Sequence, residues 1–574
     1  MDGHSIHYHV ERGAQGIKLN TPAIAAALVD ILKRNRDLET TKHTTEWLQC
    51  LSRDPAVLLS IYQSNGIPVL VKLLNAPQES VSFYAAKTLR NLLLGQEGSK
   101  AAVCKAGGLQ KMVMILKNNN EKFLSVVTDC LMLLAYKKPE NKLIIFSSDG
   151  PAELVRIMET YRCQTLLWTT ARVLRVLSAC SSNKRAIIAA GGVQALAKHL
   201  DNRSQKLVVN CLWTLRNLSD AATKQENVAS LLKRLVQLLG SRHKIIVCCT
   251  AGILSNMTCN NPRNKVIICQ ENGIGALVKV ILMARNDEEI IEPAICTLRH
   301  LTCRHPEAET AQNDVRLHFG LQAIVKFLNP PNRWPLIKAV VGLVRNLTLC
   351  RENHELLLEL GTVHILKDML RTVYQNISRN RESLSYYETQ PTVIDDVKME
   401  DIVEIVLSAF LKLAGNAKIR TLLKDSNIMN TFIQIMNKEN ENIQCIVAGI
   451  FCEFASDTDG SLTVKSIEDV PFLCYSLRSN NEGLATSGSE SRLVPLPHRY
   501  EYTTATMGKI IQKVYISWDE LLQSSTPSVI VELGDEESRG SVHSSGSRPT
   551  SNQGFDLQPM QDSDATPTPS TNCQ

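Results

Sequence analysis

The chain has 574 residues, 44% of them hydrophobic but only 5% aromatic, and a net charge of +6. That apolar content excludes a collagen-like or wholly disordered chain, and many aliphatics with few aromatics suit close-packed helices better than a β-sandwich or barrel. Residues 521–574 hold seven acids against two arginines, a balance of −5, so residues 1–520 carry +11 and suit an acidic segment, nucleic acid or an anionic lipid surface.

Residues 1–20 read as a short amino-terminal extension. They lack the apolar core of a secretory signal, and no run of about 18 uncharged apolar residues follows, so an intracellular chain without membrane insertion is expected. Most of the 17 cysteines stand singly in apolar helical stretches, as do Cys50, Cys130, Cys211, Cys296 and Cys452. In a reducing compartment such cysteines are small buried hydrophobes. Cys248, Cys249 and Cys259 have no CxxC partner pair, so neither a metal nor another cofactor is expected.

From residue 21 to about 490 the chain repeats itself. Gly-x-x-x-Leu-Val-x-x-Leu segments begin at Gly66, Gly108, Gly150, Gly192, Gly273, Gly320 and Gly361, the first four 42 residues apart. Aligning the central apolar residue gives eleven marks: Leu28, Leu70, Met112, Leu154, Leu196, Leu235, Leu277, Ile324, Ile365, Phe432 and Phe472. Between marks lies a longer apolar-periodic helix and then a short one, with the glycine suited to a sharp bend. Three helices per unit of about 42 residues is the armadillo pattern. The predicted fold is all-α, a right-handed superhelical solenoid of about eleven armadillo repeats with an extended concave surface.

The interval from Ile365 to Phe432 is too long, and the polar stretch 376–397 is read as a mobile insertion. Residues 491–522 are expected to add a terminal helix, and 523–574, rich in Ser, Thr and Pro, to form a disordered acidic tail.

One position near the end of each third helix reads Asn91, Met132, Arg175, Asn217, Asn256, His300 and Asn346. An asparagine amide both donates and accepts, so such a ladder can pair with the backbone of an extended peptide. The alternative is that each asparagine satisfies a loop of its own repeat. Beside the line fall Arg90, Lys142, Arg172, Lys206, Arg216, Lys265, Arg299, Arg304, Lys338 and Arg345, with Phe83, Phe123, Tyr136, Trp168 and Trp213 among them. The implied ligand is extended, acidic and dotted with hydrophobic anchors. Importin-α proteins share the repeat but hold basic peptides with recurring Trp-xxx-Asn pairs; here Trp213 with Asn217 is the one clear pair, in basic surroundings. No recognition helix, zinc finger or RNA-recognition signature supports direct nucleic-acid binding.

From Ser64 to about Ala455 the sequence resembles the beta-catenin (armadillo) family, most specifically in FYAAKTLRNLLLGQEGSKAAVCKAGGLQKMV, NCLWTLRNLSDAATKQE and RWPLIKAVVGLVRNL. The resemblance implies binding of cadherin cytoplasmic tails, TCF/LEF transcription factors, APC and axin on one groove. It implies that Lys142 and Lys265 are the family's two lysines that pair with ligand carboxylates. It further implies that Tyr136, Arg175, Lys206, Arg216, Asn217, Asn256, Arg299, His300, Arg304, Lys338, Arg345 and Asn346 are polar contacts, and Phe83 and Phe123 apolar ones.

Departures qualify this. Met132 stands at a family glutamine, and Gly415 and Cys445 stand at family arginines, so partners are expected to rely on residues 83–346. The chain enters at what resembles the second family repeat, without the alpha-catenin-binding helix or the phosphodegron. A transcriptional co-activator of the Wnt pathway, cytoplasmic and nuclear, is therefore the favoured expectation. The alternative is a junctional adaptor on a cadherin tail, at the plasma membrane. No catalytic motif appears, and His300 and Cys303 read as groove and packing residues, so no enzyme is expected.

Overall fold

The computed structural model describes residues 10–12, 17–34, 37–329, 332–383, 391–423, 426–438 and 441–455. The eleventh mark, Phe472, the expected terminal helix and the tail lie outside the described residues. Two short antiparallel hairpins, Val10–Arg12 with Ile17–Leu19 and Val393–Ile394 with Val397–Lys398, accompany an otherwise helical chain.

Ten repeat units are present among the described residues. The first contributes two helices, Thr21–Arg34 and Leu38–Leu51. The next runs Pro55–Gln63, Gly66–Leu73 and Glu79–Gly95, a pattern continuing to Glu441–Ala455 except in the sixth unit, which has only Ala229–Leu238 and Lys244–Thr258. The first and second helices of a unit meet at an elbow, bent by 90° between Pro55–Gln63 and Gly66–Leu73 and by 78° between Pro262–Gln270 and Gly273–Met283. No single described helix is long and apolar enough to cross a membrane.

The elbow explains the glycine spacing. The residue before the glycine takes the left-handed turn, as at Asn65, Gly107, Asp149, Gly191 and Asn272. The glycine itself is the point of closest approach: a Cβ on Gly192 would sit 2.6 Å from the Ile187 carbonyl oxygen, inside van der Waals contact. Gly361 departs from this. It takes the left-handed backbone itself, with φ +69 and open space around its missing Cβ, and Thr362 is the buried residue at the close approach.

Most aligned marks are fully enclosed: Leu70, Met112, Leu154, Leu196, Leu235, Leu277, Ile324 and Phe432 are 0% exposed. Leu28 and Ile365 are half-buried, and their neighbours Val29 and Leu366 fill the core instead. One unbroken apolar core runs through the units, as expected where no unit can bury its own face. The third helices stack on one another from Leu38–Leu51 through Lys244–Thr258 to Met399–Leu413. Buried hydroxyls at these contacts bond to their own helix, as Thr88 Oγ1 does to the Tyr84 carbonyl at 2.9 Å and Thr297 Oγ1 to that of Pro293 at 2.7 Å, which lets polar side chains sit at a dry interface. Pro293 lies inside the helix Glu288–Leu301 and leaves the Glu289 carbonyl without its helical donor. The Cys248 thiol approaches that oxygen at 3.5 Å.

The expected insertion begins as regular structure. Helix Thr362–Ser383 runs through residues 376–383, and residues 393–398 form the second hairpin; 384–390 lie outside the described residues. Cys130 and Cys211 are fully buried as expected, Cys296 is half-buried, and Cys50 is exposed. Cys50 lies 41 residues before Asn91, on the ladder position of the first unit, which faces outward rather than into the core.

Candidate peptide-binding groove

The ladder asparagines bond between repeats, to the unit before their own. Where a third helix ends on a buried serine, the next unit's asparagine donates to it: Asn91 to Ser52 Oγ at 2.8 Å, Asn217 to Ser178 Oγ at 3.0 Å, Asn256 to Ser219 Oγ at 2.9 Å. The serines in turn donate to last-turn carbonyls, Ser178 to Arg175 and Ser219 to Arg216, both at 2.9 Å, where helix ends leave acceptors unpaired. Asn346 donates to the Arg299 carbonyl at 2.9 Å and is 3% exposed. One amide N–H of each asparagine is therefore committed to stacking; Asn91, Asn217 and Asn256, only half-buried, retain a carbonyl and a second N–H. The alternative, a bond inside each asparagine's own repeat, is not what is found. Met132, 5% exposed, faces Arg172 through its sulfur at 3.7 Å.

A second asparagine set was missed at the sequence level. Asn141 donates to the Leu134 carbonyl at 2.7 Å, Asn264 to Met257 at 2.8 Å and Asn353 to Leu347 at 3.0 Å, each tying a first helix to the end of the preceding third helix. Their signal is a fixed offset of seven, seven and six residues from the carbonyl they hold.

The cations sort into two groups. Arg90 and Arg172 share one internal counter-charge: both bind the buried carboxylate of Asp129, at 2.5 and 2.7 Å, and Arg172 stacks on Trp168 at 4.7 Å. Lys338 is held by Asp401 at 2.6 Å. By contrast Lys142, Lys206, Arg299, Arg304 and Arg345 have no carboxylate in ion-pair contact among the described residues.

Lys142 is half-buried, and burial pushes its pKa below the usual lysine value. Lys265 is nearly enclosed at 4% exposure; one ammonium proton goes to the Cys303 carbonyl at 2.7 Å. Its pKa is lowered first by burial and further by the neighbouring Arg304. Burial also works against the charges of Arg175 and Arg345, yet a guanidinium stays protonated. His300 is pushed down to about 3 by burial, Arg299 and Lys265. It is neutral at physiological pH, with Nδ1 3.0 Å from Thr258 Oγ1. The row is thus rich in desolvated positive charge that lacks counter-charge, the condition under which an incoming carboxylate gains most.

Apolar features lie beside it. Phe83, half-buried, meets the 2%-exposed ring of Phe123 edge-on at 6.1 Å. Trp213 lies between the guanidiniums of Arg175 and Arg216 at 5.0 and 5.4 Å. With both cations on the ring and Asn217 bound to Ser178, the Trp213–Asn217 pair does not offer the lysine-binding slot of an importin. Tyr136 closes the helix Glu121–Ala135 with Lys137 over its ring at 5.5 Å. A cleft of about 450 Å³ opens between Lys87, Arg90, Ser125, Asp129, Trp168 and Lys206. No group of three or more potential metal ligands occurs among the described residues.

Stacked helical units around one core, with a continuous row of third helices, define an armadillo-repeat protein, and the Armadillo/beta-catenin-like repeat model matches residues 55–94 and 180–220. Within that class the chain belongs with the beta-catenin, plakoglobin and armadillo proteins. It is 52% identical over 468 residues to catenin beta of Urechis caupo, covering 82% of this chain and 57% of that protein. It is 49% identical to human junction plakoglobin over 82% of this chain and 62% of the relative. Identity to the armadillo segment polarity protein of Drosophila melanogaster is 48%, over 75% and 51% of the two chains. The chain thus spans roughly half to three fifths of these relatives' length. A structure solved in work on a phosphorylation switch controlling the interaction between cadherin and beta-catenin aligns with a TM-score of 0.74 at 27% identity, covering 87% of this chain and 92% of the other.

Proposed function

We propose that the chain is a non-enzymatic adaptor whose stacked third helices and the neighbouring first helices capture extended, acidic protein segments, with Lys142 and Lys265 on the first helices as the principal carboxylate-binding cations. The observation that carries this is the set of desolvated cations without internal carboxylates, Lys142, Lys265 and Arg345. Phe83 and Phe123 supply the apolar anchor site, while Tyr136, Lys206, Arg299 and Arg304 form the rim. Among acidic segments the cadherin cytoplasmic tail is best supported, because the matching solved structure concerns cadherin and beta-catenin and the relatives include junction plakoglobins. On this reading the chain acts at cell junctions and in the cytoplasm. TCF/LEF factors, APC and axin are the further acidic partners of the same groove, and a Wnt-pathway co-activator role in the nucleus follows if TCF/LEF docks there.

The test is calorimetric titration of the chain with a cadherin cytoplasmic tail, then displacement by a TCF/LEF amino-terminal segment. Mutually exclusive binding supports one shared groove, and simultaneous binding contradicts it. Direct capture of alpha-catenin separates the roles: a junctional adaptor that couples to actin retains it, and a co-activator does not.

A further inference from the structure

The long connection inside the ninth unit brings carboxylates to the far end of the groove. Its hairpin packs beside the helix Trp334–Leu347, with Asp395, in left-handed backbone at φ +51, at the turn. The Trp334 backbone N–H points at Asp395 Oδ2 from 3.5 Å, and the Asp395 charge is felt by Arg333. The next helix, Met399–Leu413, then presents Asp401 to Lys338 at 2.6 Å, the two side chains 41% and 33% exposed. One turn further on, Glu404 is near enough to Arg345 for each to feel the other's charge. Along the stacked units the charge therefore changes sign: basic and without ion-paired acids at Lys142 and Lys265, on first helices, and at Arg304, self-paired at Lys338 with Asp401, and acidic at Glu404.

We propose that Asp401 is a specificity-determining residue that competes with ligand carboxylates for Lys338 and so sets where the acid-accepting track ends. The inference rests on the acidic-segment reading above. A ligand acid arriving at Lys338 must break the internal pair and leave Asp401 facing like charge, whereas one arriving at Lys142 displaces no partner. Segments with a neutral or basic residue at the Lys338 register are favoured over those acidic throughout.

Poly-L-glutamate offers a carboxylate at every register and is the probe. Fluorescence anisotropy at low salt is expected to show binding by the wild-type chain and about two- to fivefold tighter binding by Asp401→Asn, the range of a partly exposed ion pair. In a Lys338→Met background Asp401→Asn has no effect on affinity. An unchanged or weaker affinity of Asp401→Asn overturns the inference. So does a gain that persists with Lys338→Met, because it reports long-range charge and not competition. No binding by the wild-type chain overturns the acidic-segment reading itself, and this inference with it. Thermal melts of the near-isosteric Asp401→Asn variant check that the fold persists.

Discussion

Replacing Lys142 by methionine separates binding from stability. The free chain holds this ammonium half-buried, with its pKa lowered by desolvation and no hydrogen-bond or ion-pair partner for Nζ among the described residues. Methionine keeps most of the stem volume and removes an uncompensated charge, so the melting temperature is expected to hold or rise. A ligand carboxylate loses a charge-assisted hydrogen bond, which contributes about 1.5–3 kcal/mol and corresponds to roughly a ten- to hundredfold higher Kd. Lys206 is exposed, and Lys206→Met is expected to cost under about 1 kcal/mol, or less than roughly fivefold. The assay is isothermal titration with a cadherin cytoplasmic tail at fixed salt, beside thermal melts of each variant. An affinity for the Lys142→Met variant within twofold of wild type, or equal losses at Lys142 and Lys206, refutes the reasoning, since desolvation would then not distinguish the two cations.

Other consequences are equally direct. Gly192→Ala places a Cβ 2.6 Å from the Ile187 backbone oxygen, so it is expected to destabilise the chain by about 1–3 kcal/mol in denaturant unfolding; Gly361→Ala is strained instead by its backbone, at φ +69. Asn217→Ala and Ser178→Ala each break the same inter-repeat bond and are expected to cost about 1 kcal/mol, with a double mutant less destabilised than their sum. His300 has a folded pKa near 3, lowered from 6.5; its contribution is full above pH 6.5 and is lost as pH falls from there toward 3, because the unfolded chain then binds the extra proton. His300→Gln is expected to flatten stability against pH across that window, and an unchanged slope counts against a buried neutral imidazole.

The architecture was legible because stacking imposes a period. Glycines 42 residues apart report the elbows, where the Ile187 carbonyl leaves no room for a Cβ beside Gly192, and leucines such as Leu154 and Leu196 report the core. Register slipped by one at Leu28 and Ile365, where neighbouring apolar residues, Val29 and Leu366, satisfy the same pattern and only burial decides. Cation identity was also legible; cation availability was not. Arg90 and Arg172 meet Asp129 from 39 and 43 residues away, a contact created by stacking that no local spacing reveals. Lys338 finds Asp401 across 63 residues and the whole long connection. The asparagine ladder was placed correctly along the chain, but its partners, Ser52, Ser178 and Ser219, belong to the preceding unit. The depth of Lys265 comes instead from the end of its own unit, where the Cys303 carbonyl and Arg304 meet it 38 residues further on.

The central claim is that desolvated, unneutralised cations along the stacked units, above all Lys142 and Lys265 on the first helices Pro139–Ser147 and Pro262–Gln270, receive the carboxylates of an extended chain. A crystal structure of this protein with a cadherin cytoplasmic tail tests it most directly. The account predicts tail carboxylates in ion-pair contact with the ammonium groups of Lys142 and Lys265; a tail bound elsewhere, with both lysines still lacking an acidic partner, contradicts it.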